Sequence, residues 1–146
     1  MSILIENRQK KINVDLKHVK KVLRNIMNYL NWTDREISLL LVDDHEIRKM
    51  NTQYLNRDYS TNVLTFSLSE GEFGDINPKV LGDIVISVET ALKDADEAGI
   101  ELNDELEFLM IHGMLHLLNY NHENVGENEV KKMERKEQEV LSILKK

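Results

Sequence analysis

His112, His116 and His122 are three of the chain's five histidines and follow the spacing H-x3-H-x5-H. The run from Leu106 to Leu118 is almost wholly apolar, which implies a buried helix. Residues four apart share a helix face, so His112 and His116 point the same way. Asn119 stands where that helix should stop, and Asn is the best substitute for Gly in a left-handed C-terminal cap. A turn there swings His122 back towards the other two imidazoles. A lone His on an apolar helix is ordinarily a satisfied core residue. Three buried imidazoles without a partner, however, would carry a penalty of several kcal/mol. Three neutral imidazoles around one ion, with the fourth position open, form the arrangement of a catalytic zinc site. Nickel, copper and iron also accept such ligands.

An open zinc site lowers the pKa of its water towards ~7 and can polarise a phosphate. The spacing matches the three-histidine form of the H-E-x-x-H metalloproteases, in which a Glu general base follows the first His. Here that position is Gly113, which cannot take a proton. The ligand cage is zincin-like and the protease's base is missing, so the expected substrate is not a peptide.

The elements that must position these histidines can be read in order. Ser2 to Glu6 reads as a short strand. Asp15 is placed to cap a helix running to about Leu30, with Leu16, Val19, Leu23, Ile26, Met27 and Leu30 inward. Lys17, Lys20, Lys21 and Arg24 fall on another face of it, as a basic stripe. Ile37 to Val42 reads as a buried strand. Asp43 or Asp44 caps a helix through about Tyr54, with Ile47 and Met50 inward. Asn62 to Leu68 alternates as a strand. Ser69 to Leu81 holds Gly71, Gly74 and Pro78 and reads as a loop. Asp83 to Val88 is a strand, and a helix then runs to about Ala98 and stops at Gly99. Asn103 or Asp104 caps the histidine helix. A last amphipathic helix, about Glu127 to Leu144, turns Val130, Met133, Val140, Leu141 and Leu144 inward. The order β-α-β-α-β-β-α-α-α implies an α+β domain over 1–146: one four-stranded mixed sheet with about five helices and a zincin-like metal site.

The 146 residues suffice for one domain with a real core, at 41% hydrophobic and 31% charged residues. No cysteine is present, which excludes disulfides and thiolate metal sites. The N-terminus carries no signal-like apolar run, and no segment reaches membrane-spanning length, so a cytoplasmic protein without a membrane partner is expected. The net charge of −7 at first argues against nucleic acid. Its distribution argues otherwise: residues 1–30 hold seven Lys/Arg and two Asp/Glu, while residues 31–110 hold six and eighteen. Positive charge gathered at one end suits a phosphate-binding face. It equally suits a solvated helix face. His18 and His45 read as solvent-exposed, and Glu123 as a surface residue.

The run His112-Gly113-Met114-Leu115-His116-Leu117-Leu118-Asn119-Tyr120-Asn121-His122 resembles the signature of the YbeY family, bacterial single-zinc endoribonucleases of ribosomal RNA maturation. Asn119 stands for the family's Gly and Asn121 for its Asp; neither position is a ligand in that scheme. Two further blocks carry the resemblance along the chain: Asn51-Thr52-Gln53-Tyr54 with Asp58 and Thr61-Asn62-Val63-Leu64-Thr65-Phe66, and Leu81-Gly82-Asp83-Ile84-Val85-Ile86. The resemblance implies one Zn²⁺ per chain on His112, His116 and His122, and a single-strand-specific endoribonuclease acting on the 3′ end of 16S ribosomal RNA and in ribosome quality control. It also implies contact with the small ribosomal subunit and its maturation factors. His116 and Arg57 are the candidate catalytic residues. The family's arginine directly after the Tyr is replaced by Leu55; Arg57, two residues on, can reach the same pocket or be an ordinary surface arginine. RNA would lie along Lys17, Lys20, Lys21 and Arg24.

Two other readings fit the same residues. One is a zincin-type metallopeptidase or amidase, opposed by Gly113. The other is a non-catalytic, ribosome-associated protein with structural zinc, opposed by the want of a fourth ligand.

Overall fold

The computed structural model describes residues 2–67, 80–118 and 127–144. Their elements run β1 (Ser2–Asn7), α1 (Leu16–Tyr29), β2 (Glu36–Val42), α2 (Asp44–Leu55), β3 (Val63–Ser67), β4 (Val80–Ser87), α3 (Val88–Ala98), α4 (Leu102–Leu117) and α5 (Glu127–Leu144). The expected order and α+β class are thus observed. The four strands form one sheet in the order β1-β2-β4-β3. β1 and β4 each pair parallel with β2, while β3 runs antiparallel along the β4 edge.

Strand side chains alternate between faces, so each sheet face collects its own core. On one face Ile37, Leu39, Leu41, Ile84 and Ile86 meet α1, α4 and α5 in the main cluster. On the other, Val42, Leu64 and Val85 meet Ile47 of α2 in a smaller one. Gly82 lies on β4, where β3 and the end of α4 meet it. Its φ is +141°, and a Cβ there would lie 2.1 Å from the Phe66 carbonyl oxygen and 3.1 Å from Leu117 Cδ2. Only glycine lets β3 and the end of α4 approach β4 this closely.

Helix ends follow the capping rules. Asp15 Oδ1 accepts from the His18 amide at 3.2 Å, and Asp43 Oδ1 from the Glu46 amide at 2.9 Å. Gly99 closes α3 in the left-handed conformation, with φ 70°. Three expectations need correction. The histidine helix begins at Leu102 after Glu101, so Asn103 and Asp104 lie inside its first turn rather than at its cap. There the Asp104 charge complements the helix dipole. Leu16 is 39% exposed, because the buried stripe of α1 starts only at Val19 and takes in Val22 instead. His18 is half-buried, not free in solvent: its Nε2 lies 3.4 Å from Glu107 Oε1 of α4. The expected loop from Ser69 falls mostly outside the described residues, and its end, Val80 and Leu81, belongs to β4.

Candidate metal centre

α4 is the most deeply embedded helix. Leu106, Leu109, Met110, Ile111, Met114, Leu115 and Leu117 are all buried. One stripe is only half-covered, and it runs through Phe108, His112 and His116. Helical spacing therefore does what the sequence implies and brings the two imidazoles side by side. Their ring centroids are 4.6 Å apart at 67°, and their Nε2 atoms lie 3.0 Å from one another. Phe108, one turn earlier, stacks on His112 with centroids 6.1 Å apart.

Gly113 faces the sheet. A Cβ there would come within 2.9 Å of Ile84 Cγ2 and 3.2 Å of Ile84 Cδ1. A side chain after the first His would thus be driven into β4. The carboxylate base of a metallopeptidase is missing from the sequence, and a side chain at this position would have to displace Ile84.

On its other side, the His112 ring is held from α5. Its Nδ1 lies 2.8 Å from Glu137 Oε1, in a side chain that is 8% exposed. With Glu137 as the acceptor of this bond, its proton is on His112 Nδ1 and the Nε2 lone pair faces His116. Glu137 played no part in the sequence expectations. Its signal was there: Met133, Glu137, Val140 and Leu144 continue one inward stripe, with a carboxylate where an apolar residue belongs. α5 is itself fastened to α1. Tyr29 Oη donates to Glu139 Oε2 at 2.7 Å, and Lys136 Nζ reaches the same oxygen at 2.7 Å. The Lys136 bond first, then that of Tyr29, holds Glu139 below the usual carboxylate range.

The remaining candidates stand as follows. His122, like Asn119 and Asn121, lies outside the described residues. Arg57 lies on the exposed loop after α2, and His45 is exposed on α2. That loop leaves the helix through Asn56, in the left-handed conformation at φ 56°. The Arg57 amide donates to Asn51 O at 3.2 Å, and the buried Asn51 side chain donates to Tyr59 O at 3.0 Å. Leu55, where the resemblance expects arginine, is 41% exposed. Tyr54 packs edge-on against Phe66, with centroids 5.5 Å apart, and so ties the end of α2 to β3. Lys17, Lys20, Lys21 and Arg24 are all exposed on α1. Among the described residues, no helix is long and apolar enough to cross a membrane.

The arrangement can offer two imidazole nitrogens to one ion, with one ring held at its Nδ1 by a carboxylate. The comparisons with known proteins agree on what such a chain is. The family profile described as Endoribonuclease YbeY matches residues 4–145. An endoribonuclease YbeY of Syntrophus aciditrophicus is 51% identical over 144 residues, covering 99% of this chain and 90% of its own. The Geobacter sulfurreducens protein of the same name is 44% identical, at 99% and 96% coverage. The solution structure of TM1509 from Thermotoga maritima superposes with a TM-score of 0.63 at 24% identity, over 98% of this chain and 91% of that one, and so shares the fold. With the profile spanning both the histidine helix and the helix that carries Glu137, the chain belongs to the endoribonuclease YbeY family and is an enzyme.

Proposed function

We propose that the protein is a zinc-dependent endoribonuclease that cuts single-stranded RNA during ribosomal RNA maturation, at the 3′ end of 16S ribosomal RNA, and serves ribosome quality control in the cytoplasm. The observation that carries this reading is the convergence of His112 and His116 Nε2, 3.0 Å apart, in a chain of an endoribonuclease family. His112, His116 and His122 hold one Zn²⁺ per chain as neutral imidazoles. When bound, the ion supplies Lewis acidity for a water molecule and for the scissile phosphate.

The chain's own residues supply the rest. His116 is the ligand that touches the reacting centre. Arg57 presents a planar guanidinium to the phosphate oxygens, which its fork can bind in pairs. Lys17, Lys20, Lys21 and Arg24 follow the RNA backbone, and the same face suits contact with the small ribosomal subunit. Single strands bend into a cleft at one ion more readily than duplexes do. The packing of Gly113 on Ile84 disfavours the peptidase reading, since a side chain at position 113 would press on β4.

The test is a labelled single-stranded ribosomal RNA fragment incubated with the intact protein, with His116→Ala and with a chelated sample, after bound metal is measured. One zinc per chain with cleavage only in the intact sample supports the reading. Cleavage that persists in His116→Ala assigns the activity to a contaminant and removes it. Cleavage of casein in place of RNA would favour the peptidase.

A further inference from the structure

Glu137 is the one charged side chain among the buried polar residues described; the others are Gln9, Asn51 and Ser87. It sits between Met133 and Val140, themselves 1% and 0% exposed, on the inward stripe of α5. A carboxylate in such surroundings is costly unless it is paired and hydrogen-bonded. A leucine or methionine there would extend the core. The Glu137 carboxylate spends its position on one imidazole nitrogen, His112 Nδ1 at 2.8 Å.

We infer that Glu137 is a positioning residue for the metal ligand His112. It acts through the imidazole in two ways. Accepting the Nδ1–H fixes the tautomer that leaves Nε2 bare on the side of His116, and it makes that nitrogen a stronger donor. It also fixes the ring's rotation, which Phe108 stacking restricts from one face. The carboxylate is presented by a helix fastened to α1. Glu139, two residues on, is tied to Tyr29 of α1, and Lys136 lies 5.7 Å from the Tyr29 ring centroid. α1 thereby braces α5, and α5 orients a ligand on α4.

This inference rests on the metal-centre reading above, and the experiment separates the two. Full-length protein is stripped of metal, and zinc affinity is measured by competition with a chromogenic chelator for the natural chain and for Glu137→Gln. Glutamine keeps the shape, but its amide can also donate to an unprotonated Nδ1 and so stabilise the tautomer that cannot ligate through Nε2. The expected result is zinc binding by the natural chain and a loss of about 10- to 100-fold in Glu137→Gln. Equal affinities, within about threefold, overturn the role of Glu137 while leaving the metal centre standing. No zinc binding by the natural chain overturns the metal centre and the inference together. A second measurement needs no variant: nitrogen-15 NMR of the metal-free natural chain at alkaline pH should show His112 as the Nδ1–H tautomer. An Nε2–H tautomer at His112 overturns the inference.

Discussion

The two halves of the candidate site are built on opposite principles. The histidine half lies on α4, which is buried along most of its length, and is backed by a buried carboxylate on α5. The Arg57 half lies on an exposed loop, fixed mainly through its backbone by Asn51 and Thr52. A ligand cage must hold its geometry before an ion arrives, which packed helices favour. A phosphate clamp meets a flexible chain and belongs on a surface that the substrate can reach. On the proposed function, metal binding would be a property of the core and substrate handling a property of the rim.

Breaking each half separately tests that division. His116→Ala removes a ligand and should abolish zinc binding; RNA cleavage should fall by about a thousandfold or more, since an ion supplies several kcal/mol of charge stabilisation. Metal content and cleavage rate should disappear together. Arg57→Ala should lower cleavage by about 100- to 1000-fold, the usual effect of losing one oxyanion-stabilising donor, with zinc content and melting temperature unchanged. Unchanged cleavage in that variant would retire Arg57 and leave the position at Leu55 without a substitute. Gly113→Ala touches neither ion nor RNA, yet the added methyl group meets Ile84. It should reduce stability by about 1–3 kcal/mol, a drop of roughly 2–4 °C in Tm for each kcal/mol, read by thermal unfolding. A wild-type melting temperature would mean that α4 can lift off β4, and the rigidity assigned to the histidine half would be lost.

The same division explains what could be read from the sequence. The element order, the Asp15 and Asp43 caps and the Gly99 stop are all local signals, and the structure reproduces them. So is the pairing of His112 with His116, which needs only one helical turn. Glu137 lies 25 residues from the imidazole it holds, and only the docking of α5 on α4 brings them together. Its one trace in the sequence is a charge on an apolar stripe, which alone does not name a partner. The steric meaning of Gly113 was hidden in the same way: the missing base is visible in the sequence, but the β4 side chain that forbids it is not. His18 misled because its neighbours along α1 are lysines, whereas its neighbour in space is Glu107.

The smallest expected effect concerns how far the rim extends. α1 braces the α5 helix through Tyr29, and its basic stripe faces solvent. Each phosphate neutralised on single-stranded nucleic acid contributes about 0.7 to the slope of log affinity against log salt. If Lys20 and Lys21 each hold a phosphate, Lys20→Ala/Lys21→Ala should reduce that slope by about 1.4, with zinc affinity untouched. Binding of a short labelled single strand, titrated at several salt concentrations, reads this directly. An unchanged slope would make the stripe a solvated helix face and confine substrate handling to the Arg57 loop. A reduced slope would draw the RNA across α1, so that the helix fastened to α5 would also hold the substrate.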